Sequence, residues 1–169
     1  MLKKLPKIVF AYLTFIINSC LKLQYFPDTW KVAKVIPINK PGDRSNMNNY
    51  RPISLLSTFS KIFEKAIRTR IVSFLEKNKL LSEWQFGFRA VLSTEDALLN
   101  FCTNVYFALN DKKISAAIFV DIAKAFDTVN HELLLEKLFR FGFRGNMQNW
   151  FRSYLAGRQQ KVKINQTVN

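Results

Sequence analysis

With 169 residues, 49% of them apolar and 16 of them Phe, the chain is long and hydrophobic enough for one domain with a real core, which excludes a disordered tail. Its 26 Lys and Arg outweigh 12 Asp and Glu to give +14, unevenly: residues 1–80 hold 15 basic and 4 acidic groups, residues 81–169 hold 11 and 8. A basic first half implies a polyanionic partner, most simply nucleic acid, while one histidine, His131, argues against a His-based zinc site or catalytic triad.

The first predicted element is a helix over about 5–24, ending before Phe26-Pro27. Lys3-Lys4 and the apolar run Ile8–Ile17 imitate a secretory signal, but the run is too short to span a bilayer. Leu5, Ile8, Tyr12, Phe15, Ile16 and Ser19 share one helical face, as in an amphipathic helix packed by that face. Val32–Ile38 is β-rich, Lys40-Pro-Gly-Asp43 is a turn, and 44–54 reads as loop. Helical spacing then runs from Ser57 to about Lys77, and 79–92 is irregular. Ser93 with Asp96 forms a capping-box signature opening a helix to about Asn110. A strand follows over Ile114–Ile122. Asn130 caps a helix to Phe141 with Gly142 past its end, another helix spans about 146–156 before Gly157, and Arg158–Ile164 alternates like a strand. Helices interleaved with a few non-adjacent strands predict an α+β fold. Cys20 and Cys102 lack metal or redox spacing and read as ordinary buried thiols of an intracellular protein.

Asp121 is the most informative residue. It is a carboxylate at the end of an apolar run, where desolvation is expensive unless the group is paired or binds a cation. Lys124, Phe126 and Asp127 follow closely. A core strand ending in a helix-capping acid is the plainer alternative.

Five ordered blocks carry a resemblance over nearly the whole chain: Phe26-Pro-Asp-Thr-Trp-Lys31 with Ala33 to Gly42; Asn49-Tyr-Arg-Pro-Ile-Ser-Leu-Leu56 with Lys61-Ile-Phe-Glu-Lys65; Gln85-Phe-Gly-Phe-Arg89 with Ser93-Thr-Glu-Asp-Ala97; the segment Ile118–His131; and Trp150-Phe-Arg-Ser-Tyr-Leu-Ala-Gly-Arg158. The series resembles the reverse transcriptase of non-LTR retrotransposons of the jockey type. The resemblance implies an RNA-directed DNA polymerase. Residues 1–112 would be fingers with an N-terminal extension and 113–169 a partial palm, helix-rich with a few antiparallel strands.

The roles that follow are those the resemblance implies. Asp121 is a metal ligand for Mg²⁺ or Mn²⁺, helped by the backbone carbonyl of Ile122, since such cations take carboxylate and triphosphate oxygens. Lys40 and Arg51 touch the incoming dNTP, with Arg44 a further candidate. Phe126 is the steric gate against a ribose 2′-hydroxyl. Gln85, Gly87 and Arg89 lie near the template path, and Asp127 is a second acid behind the metal or simply a helix-entry group. Trp150, Arg152, Arg158, Lys161 and Lys163 are candidates for phosphate tracking or, individually, for packing or a solvated face. The partners are an RNA template, a DNA primer and dNTPs; no membrane is implied, and the expected location is the nucleus or cytoplasm rather than the exterior. The family's Tyr-x-Asp-Asp and Gly-x-Pro-Gln-Gly motifs do not occur in these 169 residues, so the reading is a domain truncated before the Asp-Asp strand, inactive alone. Two alternatives stay open: a non-catalytic retroelement relic or RNA-binding fragment, and a group II intron-type enzyme.

Overall fold

Two compact units make up the computed structural model, which describes residues 6–162: Met1–Ile71 with Asn130–Asn169, and Val72–Val129. The expected division at 112/113 falls inside the second unit. Leu5, Lys163 and Ile164 lie outside the described residues.

The first unit opens with α1 (Lys7–Lys22). Its buried side is Leu13 and Cys20 with half-buried Val9 and Ile17. This corrects the expected face: Ile8, Tyr12 and Phe15 are 61–70% exposed. The helix is apolar nearly all round, so periodicity alone does not say which side is covered. A single helical turn, α2 (Asp28–Lys31), leads into β1 (Val32–Asn39), which pairs antiparallel with β2 (Tyr50–Leu55). Five of the residues expected as loop, 50–54, are thus strand. Pro52 hid the strand, but β2 is an edge of the sheet, where a missing N–H is tolerated. Pro52 also stands opposite Pro37. The Lys40 amide donates to the Asn49 carbonyl at 2.6 Å, which sets the alternation so that Pro37 and Pro52 meet at a non-hydrogen-bonded pair.

β3 (Gln159–Val162) joins the other side of β1 in parallel, Val32 opposite Gln159 and Val35 opposite Val162. The sheet is therefore mixed, not purely antiparallel, in order β2-β1-β3. α5 (His131–Arg140) starts on Asn130, whose side chain accepts from the Glu132 and Leu133 amides, and ends at Gly142 with φ +100°. α6 (Asn146–Leu155) packs on α5, and Gln148 Nε2 donates to the Leu135 carbonyl at 3.0 Å.

The core of this unit is aromatic. Phe26 and Phe63 are fully buried and stack at 5.8 Å. Trp150, 2% exposed, lies edge-on to both at 6.0 and 5.4 Å, and Tyr154 stands edge-on to Phe26 at 5.0 Å. Phe63 comes from α3 (Thr58–Lys77). The Phe26-Pro, Lys61-Ile-Phe and Trp150-Phe-Arg blocks therefore meet: much of what makes those motifs distinctive is the core itself.

The second unit contains the end of α3 and α4 (Thr94–Asn110), begun by the expected capping box: Asp96 N–H donates to Ser93 Oγ, and the Ser93 amide donates to Asp96 Oδ2 at 2.7 Å. Cys102 on α4 is exposed, which corrects the expectation of two buried thiols. Residues 113–122 form no strand. Ile114, Ile118, Phe119 and Val120 are 81–99% exposed. The expected strand over 114–122 is corrected accordingly. A β-like run becomes a strand only when another strand takes its backbone groups, and none among the described residues does.

Candidate functional site

Lys40 and Arg51 sit on one hairpin. Arg51 pairs with Ile38 across the ladder, and Lys40 follows two residues after Ile38. The connecting loop is tied internally. Ser45 N–H donates to Asp43 Oδ1 at 2.8 Å, Asn49 Nδ2 to the Asp43 carbonyl at 2.8 Å, and Tyr50 Oη to the Arg44 carbonyl at 2.9 Å. Gly42 adopts φ +131°, and a Cβ there would come within 3.3 Å of Asn49 Nδ2. Pairing places Arg51, Ile53 and Leu55 on the same face as Ile38, Ile36 and Lys34, and all six are exposed. This face is apolar at its centre and cationic at both ends, and it bears no acid.

On the other side of the sheet, a cleft of about 350 Å³ is lined by Lys31, Ala33, Ser54, Leu56, Arg158, Gln159 and Gln160. Its two cations are already engaged. Lys31, 6% exposed, pairs with Asp28 at 2.8 Å. Arg158 stacks on the Tyr154 ring at 4.1 Å, donates from Nε to the Tyr154 carbonyl and lies 3.5 Å from Glu64. Burial pushes the Tyr154 phenol above its ordinary range. The role of Arg158 in packing was legible only as one of two options, and the burial of Lys31 had no signal beyond its i,i+3 spacing from Asp28. Trp150 is core, whereas Arg152 and Lys161 are exposed.

The second unit holds the other candidates. Asp121 lies in the exposed segment, outside any helix or strand, and a turn follows in which Lys124 takes φ +52° and its carbonyl accepts from the Asp127 amide at 2.8 Å. Phe126 is 82% exposed and meets Phe88 edge to face at 6.3 Å, so the 85–89 and 121–127 blocks are brought together. Within that pair of blocks the residues differ. Arg89 is engaged by Glu76 through two hydrogen bonds and by the Ser82 carbonyl, and the Glu76 bond raises its pKa further. The Gln85 side chain donates to the Gly87 carbonyl at 3.4 Å, and a Cβ on Gly87 would meet nothing within 4 Å.

A divalent ion fits this arrangement poorly. Among the described residues no group of three His, Cys, Asp or Glu side chains could hold one. Asp121 offers one carboxylate and the Ile122 carbonyl a neutral oxygen, while Asp127 stands on the following turn. No helix among the described residues is long and apolar enough to cross a membrane.

Residues 38–169 match the family described as reverse transcriptase (RNA-dependent DNA polymerase). The chain belongs to the reverse transcriptase family. Among similar proteins of Drosophila melanogaster, it is 36% identical to the probable RNA-directed DNA polymerase from transposon BS, over 96% of this chain and 18% of that protein. It is 36% identical to the probable RNA-directed DNA polymerase from transposon X-element, over 99% of this chain and 18% of that protein, and 34% identical to the RNA-directed DNA polymerase from mobile element jockey, over 96% and 18%. The chain therefore spans about a fifth of the length of these relatives.

Proposed function

We propose that this chain supplies the fingers and first palm segment of an RNA-directed DNA polymerase of a non-LTR mobile element, working in the nucleus or cytoplasm on an RNA template, a DNA primer and dNTPs. The observation that carries the reading is the reverse transcriptase match over residues 38–169, which includes Lys40, Arg51, Asp121 and Phe126. The tied hairpin supports a triphosphate role for Lys40 and Arg51, because a guanidinium and an ammonium on a constrained loop meet several phosphate oxygens with little ordering cost. Phe126 is proposed to bar the ribose 2′-hydroxyl by its bulk. Gln85 and Gly87 are proposed to border the template, with Arg89 shaping that loop.

Mg²⁺ or Mn²⁺ is expected only in a complete domain that adds further carboxylates to Asp121, where it would supply activation of the primer hydroxyl and neutralisation of phosphate charge. Asp121 is the proposed carboxylate of this segment, and Asp127 a group behind it. A second reading is a nucleic-acid-binding segment without synthesis of its own. The exposed carboxylate of Asp121, with no acidic cluster around it among the described residues, favours it.

The test is an exchange: these 169 residues replace the matching segment of the jockey polymerase, and RNA-templated extension is measured. An active chimera that dies with Asp121→Asn, and that admits ribonucleotides with Phe126→Ala, supports the reading. A folded chimera without activity, or one indifferent to Asp121→Asn, would defeat it.

A further inference from the structure

We propose that the exposed flank of α3 is a phosphodiester-binding track, made by Lys61, Lys65 and Arg68, that holds the backbone of a nucleic-acid strand. It rests on the preceding reading only for its partner, nucleic acid. The three residues are four and three positions apart, so they stand one above another on the helix. All are exposed. At 1.5 Å per residue they span about 10.5 Å, the reach of about four successive phosphates of one strand at about 3.4 Å spacing.

What sets these cations apart is that three of them stand in one row on a helix flank, unpaired and with no acid in the row. Lys31, Arg89, Lys113, Arg140 and Arg158 each face a carboxylate within 4 Å. Among the described residues, Lys61, Lys65 and Arg68 have no side-chain hydrogen bond or ion pair. Glu64, the one acid within residues 58–71, is turned away from them: it accepts from Ser60 Oγ at 3.1 Å and Tyr154 Oη at 3.4 Å and lies beside Arg158. An ordinary solvated helix face mixes signs at i,i+4. Here like charges follow one another, and their mutual repulsion is relieved when a polyanion lies along them. The buried side of the same helix, Ser60, Phe63 and Ile67, fixes the orientation of the stripe through the aromatic core.

The experiment titrates the 169-residue chain with single-stranded oligonucleotides of one sequence, RNA in one arm and DNA in the other, at several salt concentrations. The variant is Lys61→Gln/Lys65→Gln/Arg68→Gln. The control, Lys7→Gln/Lys22→Gln/Lys112→Gln, removes the same charge from exposed positions elsewhere. Three lost contacts should lower the slope of log affinity on log salt by about 2 and weaken binding on the order of a hundredfold near 0.1 M salt, equally in both arms, with the control unchanged. The charge-keeping variant Lys61→Arg/Lys65→Arg/Arg68→Lys should bind like the parent, which separates loss of charge from loss of folding. Equal losses in variant and control, or a loss in the RNA arm alone, would overturn the track. A parent chain that binds neither oligonucleotide would overturn the nucleic-acid reading itself.

Discussion

Arg89 closes a two-pronged pair with Glu76: Nε lies 2.9 Å from Oε1 and Nη2 2.7 Å from Oε2, joining the irregular 79–92 segment to the end of α3. A third donor, Nη1, reaches the Ser82 carbonyl at 3.2 Å. The guanidinium fork matches a carboxylate in a way an ammonium cannot. Arg89→Lys should therefore loosen the loop nearly as much as Arg89→Ala. Amide exchange over residues 79–92 should accelerate in both variants while that of α5 and α6 stays as in the parent. Unchanged exchange would mean that the pair does not organise the loop.

Trp150→Ala should unfold the first unit most readily of any single truncation. The ring touches Phe26, Phe63, Phe151 and Tyr154, and truncating a buried aromatic costs about 3–5 kcal/mol. Urea denaturation followed by the fluorescence of Trp30 measures it. The exposed Phe15 on α1, truncated in the same way, should cost much less.

Acid should weaken the start of α4. The Ser93 hydroxyl and backbone hold the Asp96 carboxyl below its ordinary value of 3.8. A depressed carboxylate pKa stabilises the fold above the unfolded value, and that contribution is lost as pH falls through the folded value. It is therefore complete at pH 7 and disappears below 3.8. Asp96→Asn should shrink the difference in denaturation midpoint between neutral and acid solution. Ser93→Ala should cost about 1 kcal/mol at neutral pH through loss of the cap.

The two cysteines should separate in a thiol-labelling time course. Cys102 is exposed, whereas Cys20 is buried and desolvation raises its pKa, so less of it is thiolate at neutral pH. One fast and one slow equivalent are expected, with Cys20→Ser abolishing the slow one. Two fast equivalents would mean that α1 does not stay packed.

The 169-residue chain alone should not extend a primer on RNA. One carboxylate at Asp121, with no cluster around it among the described residues, is too few oxygens for the ions this chemistry uses. Extension above an Asp121→Asn control, in Mg²⁺ or Mn²⁺, would contradict this.

The helices were largely legible because their limits are local chemistry. Ser93 with Asp96, and Asn130 with Gly142, announce α4 and α5 within a residue or two. The strands were less so, because pairing is non-local. Pro52 disguised β2, whose edge position only the assembled sheet reveals, and the 114–122 run looks like a strand whether or not anything pairs with it. The motifs singled out Lys40 and Arg51, but that one hairpin carries both is fixed by the strand ladder, and the engagement of Arg89 by Glu76 depends on a contact 13 residues away.

The exposed run from Ile114 to Ile122 also makes the position of Asp121 a matter of conformational entropy. Fixing the backbone of nine residues takes on the order of 10 kcal/mol at about 1–2 each. Burying Ile114, Ile118, Phe119, Val120 and Ile122 against a pairing strand would contribute a similar sum, at about 1.5–3 each. The location of the carboxylate is then decided by a small remainder between two large quantities. A change of two methyl groups in its neighbours, such as Val120→Ala, would shift the fraction of molecules in which Asp121 is in place, without touching the aspartate at all.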